Sequence, residues 1–267
     1  VRRQLLADGR RLAWRQQGSG APLVLLHGWS MSSAVFGEVL PLLGSRHLAL
    51  APDLRGHGDS SPGPGYALDH FAADLEEWLL ASGQRQIDLL GWSLGGQVAI
   101  RLARRRRIEV RALLLVAATP KFVAAGDWPH GLPAGQVRVM ARDLARAYAK
   151  TQGDFFQLQF AGEAISRQRL REIIAFAVRG GKLPPLEVAL AALGTLQEGD
   201  LRPELAELRC PVLAQQGSLD RITLPGAAAA LAAATPRGHL ELLPERGHAP
   251  FLSAPQESVE AWEAFLP

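Results

Sequence analysis

The chain has 267 residues, a formal net charge of +3, 48% hydrophobic and 21% charged residues. That balance excludes a disordered or fibrous chain, and a chain this long buries a core without help from disulfides or metal. A single cysteine, Cys210, excludes an intrachain disulfide, and no apolar run reaches the roughly 18 residues that a bilayer span needs.

The basic start Val1-Arg2-Arg3 leads into no apolar stretch, so no signal peptide is expected. Opening on Val rather than Met reads as a trimmed start, and the one cysteine suits a reducing compartment, so the cytoplasm is expected. Strands are expected at Gln4–Ala7 and Leu12–Gln16, a hairpin turning at Asp8-Gly9. Further strands are expected at Leu23–Leu26, Leu48–Ala51, Ile87–Leu90, Ala112–Val116, Val212–Gln216 and His239–Leu243. Several lack polar alternation, as parallel strands buried on both faces do. Helices are expected at Ser33–Leu43, Asp69–Ala81, Leu94–Arg106, Pro225–Ala234 and Pro255–Phe265. The alternation predicts a doubly wound α/β fold with a mostly parallel, eight-stranded sheet.

Alternation stops after Val116 and resumes at Cys210-Pro211-Val212. Between them lie only helical patterns, at Ala134–Lys150, Asp154–Phe160, Ser166–Val178 and Leu186–Gln197. The expected organisation is a core of 1–118 and 202–267 with a helical cap at 119–201. Thr119 to Pro185 carries ten basic residues against five acidic ones, so the positive charge concentrates in this insertion. Such a patch attracts an anionic partner. Arg138, Arg142, Arg146 and Lys150 recur every four residues, one side of a helix, and Arg167 and Arg171 repeat the spacing.

Gly91-Trp92-Ser93-Leu94-Gly95 sits where a strand hands over to a helix, the context of a nucleophile elbow. A serine hydroxyl needs a base. Among seven histidines, only His239 and His248 follow both Ser93 and the insertion. His239 opens a strand, whereas His248 lies in a loop beyond a strand's carboxyl end, where sites collect in open α/β sheets. Asp220 lies past the end of Val212–Gln216 and is the carboxylate expected to orient the base; Asp127 and Asp200 follow no core strand. The backbone N–H groups of Leu94 and Trp29 are the expected oxyanion donors. His27, Asp53 and His57 read as structural, and Cys210 as a buried small hydrophobe. No zinc-spaced Cys/His cluster, phosphate-binding loop or strand-borne dinucleotide fingerprint is present, so no metal or other cofactor is expected.

Leu25-Leu26-His27-Gly28-Trp29, the Ser93 elbow, Leu219-Asp220 and Gly247-His248-Ala249-Pro250-Phe251 together resemble the α/β-hydrolase family, from about Leu23 to Phe265. Trp92 beside the serine and Asp127-Trp128-Pro129 narrow the resemblance to the pimeloyl-acyl-carrier-protein methyl ester esterases of biotin synthesis. The resemblance implies a partner, acyl carrier protein bearing a pimeloyl methyl ester, and an acyl tunnel. Trp29, Trp92, Ser93 and Phe155 are the candidate substrate contacts, among insertion apolars that include Phe122, Phe156, Leu158 and Phe160. Family arginines on the cap hold the carrier. Lys150, Arg167 and Arg171 fall on those places, with Arg142 and Arg146 as further candidates, while Asp154 stands where a basic residue is expected. A monomer binding neither membrane nor nucleic acid is expected. A general short-chain carboxylesterase and a non-catalytic ligand receptor on the same fold stay open, as does a carbon–carbon bond hydrolase.

Overall fold

Eight strands form one sheet in the order β1-β2-β4-β3-β5-β6-β7-β8 in the computed structural model, which describes residues 1–267. β1 (Arg2–Leu5), β2 (Arg11–Gln17) and β4 (His47–Pro52) pair antiparallel in sequence along one edge. β3 (Ala21–Leu26), β5 (Gln86–Trp92), β6 (Glu109–Val116), β7 (Val212–Gly217) and β8 (Gly238–Leu243) run parallel to each other and to β4. Successive side chains of a strand face opposite ways. In β3, Val24 and Leu26 enter one core while Leu23 and Leu25 enter the other. This is why β3 is apolar throughout rather than alternating.

Helices cover both faces. α1 (Val39–Leu43) lies with α10 (Pro250–Ser253) and α11 (Pro255–Phe265) on the Leu23 face. α2 (Leu68–Ala81), α3 (Leu94–Arg105) and α9 (Pro225–Ala234) cover the Val24 face. Between β6 and β7 lie α4 (Ala134–Arg146), α5 (Tyr148–Leu158), α6 (Arg167–Ile173), α7 (Leu186–Glu198) and the short α8 (Arg202–Leu205). The insert closes on itself at its base: Leu201 N–H donates to Pro120 O (2.8 Å), and Lys121 and Asp200 pair at 2.9 Å. No helix is long and apolar enough to cross a membrane.

Four local expectations change. β1 sits two residues earlier than expected, because the chain is already turning where Leu6 N–H donates to Arg10 O, and Ala7 N–H bonds the Glu77 side chain. The helix expected over Ser33–Leu43 is a 3₁₀ turn, Ser33–Phe36, then α1, parted at Gly37, where a Cβ would press on Phe176. The helix expected over Ala134–Lys150 breaks at Ala147 (φ −149°, ψ 59°). Arg138, Arg142 and Arg146 therefore ride on α4, and Lys150 on α5. α6 is followed by one π-helical turn, Ile174–Arg179, rather than continuing as α-helix.

Candidate active site

Ser93 stands between β5 and α3 with φ 55° and ψ −118°, a backbone conformation that side-chain-bearing residues rarely adopt. Its neighbours must be glycine. A Cβ at Gly91 would run into the Gly95 carbonyl, one at Gly95 into the Leu26 carbonyl, and one at Gly96 into the Ala118 methyl. These close approaches press the start of α3 against β3 and the adjacent chain, and turn the serine outward. Trp92 is buried on the opposite side, where its indole N–H donates to His248 O at 2.8 Å.

The structure brings His248 and Asp220 together, with Nδ1 and Oδ2 2.8 Å apart. Both lie in loops past the carboxyl ends of β8 and β7. Asp220 is locked in place. Ile222 and Thr223 N–H groups donate to Oδ1 (2.8 and 3.1 Å), and Gln216 Nε2 and Thr223 Oγ1 donate to Oδ2 (2.8 and 2.7 Å). Burial works to raise the Asp220 carboxyl pKa, but the His248 charge and these hydrogen bonds hold it below the usual carboxylate value. An ionised Asp220 keeps the imidazole proton on Nδ1, leaving Nε2 as the basic nitrogen. Ser93, Asp220 and His248 are 7%, 4% and 1% exposed, so this chemistry is shielded from bulk water.

Gly28 brings the β3 loop against the serine, since a Cβ there would sit 3.2 Å from Ser93 Cβ and 3.1 Å from the Trp92 ring. The next N–H, Trp29, donates to no protein acceptor, and neither does that of Leu94, the first residue of α3. Two free N–H groups thus flank Ser93, the layout of an oxyanion hole. Trp29 is fixed from the insert: its indole donates to Ala189 O of α7 (2.9 Å), and the Phe155 ring meets it edge-on at 4.9 Å.

The other histidines and acids have structural positions. His27 is fully buried, donates through Nδ1 to Gly28 O (2.9 Å), and accepts the Leu54 N–H at Nε2 (3.0 Å). Burial pushes its pKa down to about 4, so it stays neutral. His57 is likewise buried and pushed down to about 3, while Asp53 accepts backbone N–H groups of Ser33 and Asp59. His239 lies on β8 with its ring against Phe265. Asp127 and Asp200 pair with Arg202 at the base of the insert, where Arg202 also stacks on Trp128.

A cavity of about 520 Å³ opens between α4 and α5. Phe122, Phe155, Leu158 and Ile222 form its apolar wall, and Arg146 and Lys150 are at its margin. Ile222 belongs to the Asp220 loop and Phe155 touches Trp29, so the cavity adjoins the site through both. Phe156 and Phe160 lie elsewhere, packed on each other in the core of the Leu23 face. On the insert surface, Arg138, Arg146, Arg167 and Arg171 have no acidic partner, whereas Arg142 pairs with Asp143 and Lys150 with Asp154. Arg169 is taken up by Glu38 and the Leu252 carbonyl.

Four positions were not singled out by sequence reasoning. Gln159 is fully buried, yet neither atom of its amide has a hydrogen-bond partner. Gln216 and Thr223 hold Asp220, and Glu163 reaches the His248 loop. Gln216 closes a predicted strand and could have been weighed there; Gln159 and Glu163 carry no signal before the insert is folded.

A family model described as the α/β hydrolase fold matches residues 21–255. The chain is 40% identical over 248 residues to a pimeloyl-[acyl-carrier protein] methyl ester esterase of Nitrosomonas europaea, covering 92% of this chain and 96% of the relative. It is 36% identical to the enzyme of the same name from Chromobacterium violaceum, covering 91% and 93% of the two chains. Among solved structures, an esterase from Exiguobacterium antarcticum superposes with a TM-score of 0.90 at 22% identity, covering 98% of each chain, a likeness of fold.

Proposed function

The chain belongs to the α/β-hydrolase family, and from that premise we propose that it is a serine carboxylesterase removing the methyl ester of pimeloyl-acyl-carrier protein. The products are methanol and the free pimeloyl carboxylate, still tethered as a thioester. The observation that carries the substrate is the near full-length 40% identity to the Nitrosomonas europaea enzyme of that name. The basic insert with its apolar cavity supports it.

In this reading residues 119–201 act as a cap over a core of 1–118 and 202–267. His248 Nε2 takes the Ser93 proton as Oγ attacks the ester carbonyl, and Asp220 stabilises the imidazolium. The Trp29 and Leu94 N–H groups receive the oxyanion, each donor contributing about 3 kcal/mol. His248 then protonates departing methanol, and water, activated by the same base, frees the acid. Trp92 fixes the His248 loop, while Trp29 and Phe155 border the acyl path.

Acyl carrier protein is strongly acidic. Arg146, Arg167 and Arg171 are its contacts in this proposal, with Lys150 and Arg142 weakened by their acidic neighbours. Asp154 does not supply the basic contact expected at its place; it offsets Lys150 instead. We propose a monomer working in the cytoplasm. Growth of a strain lacking its own pimeloyl-carrier methyl esterase, on medium without biotin, tests the assignment. The chain should restore growth, and failure with small-ester hydrolysis intact would leave a general short-chain carboxylesterase, the reading favoured by the locally neutralised Lys150 and Arg142.

A further inference from the structure

Two consecutive peptide N–H groups of the His248 loop donate into the insert. Gly247 N–H donates to Glu163 Oε1 at 2.7 Å, and His248 N–H to Gln159 O at 2.8 Å. The fit requires glycine at 247: a Cβ there would run into the Gln159 carbonyl and lie 2.8 Å from Glu163 Oε1. Gly162, at φ +92°, makes the turn that brings Glu163 round after α5. With Asp220 on Nδ1 and the Trp92 indole on the His248 carbonyl, every hydrogen-bonding group of His248 except Nε2 is held.

We infer that Glu163 is a positioning residue for the base: its carboxylate fixes the Gly247 N–H, one peptide before the one that the Gln159 carbonyl holds at His248, so the insert sets where Nε2 stands relative to Ser93. The inference rests on His248 being the base. Three contacts hold the backbone of two consecutive residues, two on His248 and one on Gly247, and only the Glu163 contact is made by a charged side chain. That charge also lies close to the triad. Burial raises the Glu163 carboxyl pKa, opposed by the Gly247 hydrogen bond and by Arg246, while Asp220 raises it further. Arg246 is itself shared with Glu257, and Arg221 lies against Gly162. As a carboxylate, Glu163 adds negative potential near the imidazole and favours imidazolium.

The test uses p-nitrophenyl acetate with the full chain and the Glu163→Ala and Glu163→Gln variants, their folded fractions set equal by circular dichroism. A misplaced base costs turnover rather than binding. Glu163→Ala should lower kcat about tenfold and leave KM within about twofold. Glu163→Gln, whose amide oxygen still accepts from Gly247, should recover most of that loss. In both variants the acid limb of kcat/KM should move to lower pH, because removing a nearby carboxylate makes the imidazole easier to deprotonate. Wild-type kcat in Glu163→Ala, or no recovery in Glu163→Gln, would overturn the inference. If Glu163→Ala does not fold, an unmoved acid limb in Glu163→Gln overturns it alone. His248→Ala serves as the control: retained activity there would remove the underlying assignment of the base, a different failure.

Discussion

Held at φ 55° and ψ −118°, Ser93 illustrates how much of the proposed chemistry depends on single residues. A side chain in such a region costs about 1–3 kcal/mol, which glycine does not incur. Ser93→Gly should therefore raise the urea midpoint, through an unfolding free energy higher by roughly 1 kcal/mol after the entropic cost of glycine, while abolishing hydrolysis. A lowered midpoint would mean that the elbow carries no such strain. Asp220→Asn keeps the shape but lets the imidazole take the wrong tautomer, and kcat should fall by about 10⁴. Near-normal turnover would show that His248 does not depend on this carboxylate. His27 and His57 give a separate pH signature. Their folded pKa values, about 4 and about 3, lie below the ordinary 6.5, so between those limits the unfolded chain binds more protons. The stability they contribute is complete above pH 6.5 and is lost as pH falls, toward 4 for His27 and toward 3 for His57, by up to about 1.4 kcal/mol per pH unit for each histidine. Urea titrations at several pH values should show this slope, and His57→Gln should flatten it.

Elements explain which parts of the chain were readable. β3, β5, β6 and β7 announce themselves because strands buried on both faces have no polar alternation, and α9 and α11 begin and end where their prolines and alanines predict. Ser93, Asp220 and His248 stand out as candidates because each follows a strand's carboxyl end, a placement that topology fixes. Inside the insert that logic is missing. Nothing local marks the break at Ala147, a residue of the best helix former, since tertiary packing overrides propensity there. The four-residue basic spacing therefore suggested one helix where two exist, and Lys150 shares α5 with Asp154 instead of continuing the α4 row. Gln159 and Glu163 were invisible for the same reason: their partners are loops distant in sequence. Gly95 shows the opposite case, a packing need written in the motif. A Gly95→Ala methyl meets the Leu26 carbonyl, a backbone atom that cannot swing away. That variant should lose about 1–3 kcal/mol or more of stability, together with activity. Wild-type thermal stability would contradict this account of the elbow.

Across the whole molecule, the sheet end bearing Ser93 lies under a positively charged insert, and this arrangement separates a carrier-dependent enzyme from a general one. Charge reversal, Arg167→Glu with Arg171→Glu, should raise KM for the carrier-bound ester at least about tenfold and leave hydrolysis of a small aryl ester within about twofold, since rim charges steer rather than react. The wild-type carrier reaction should weaken with added salt, and the small-ester reaction should not. Equal losses on both substrates would place the arginines in the fold rather than in recognition. The most direct measurement is mass spectrometry of pimeloyl-acyl-carrier-protein methyl ester incubated with the chain and with Ser93→Ala. The account predicts loss of the methyl group with the thioester intact for the wild type, and unchanged substrate for the variant. Cleavage at the thioester, or untouched carrier substrate alongside rapid hydrolysis of small esters, would contradict it.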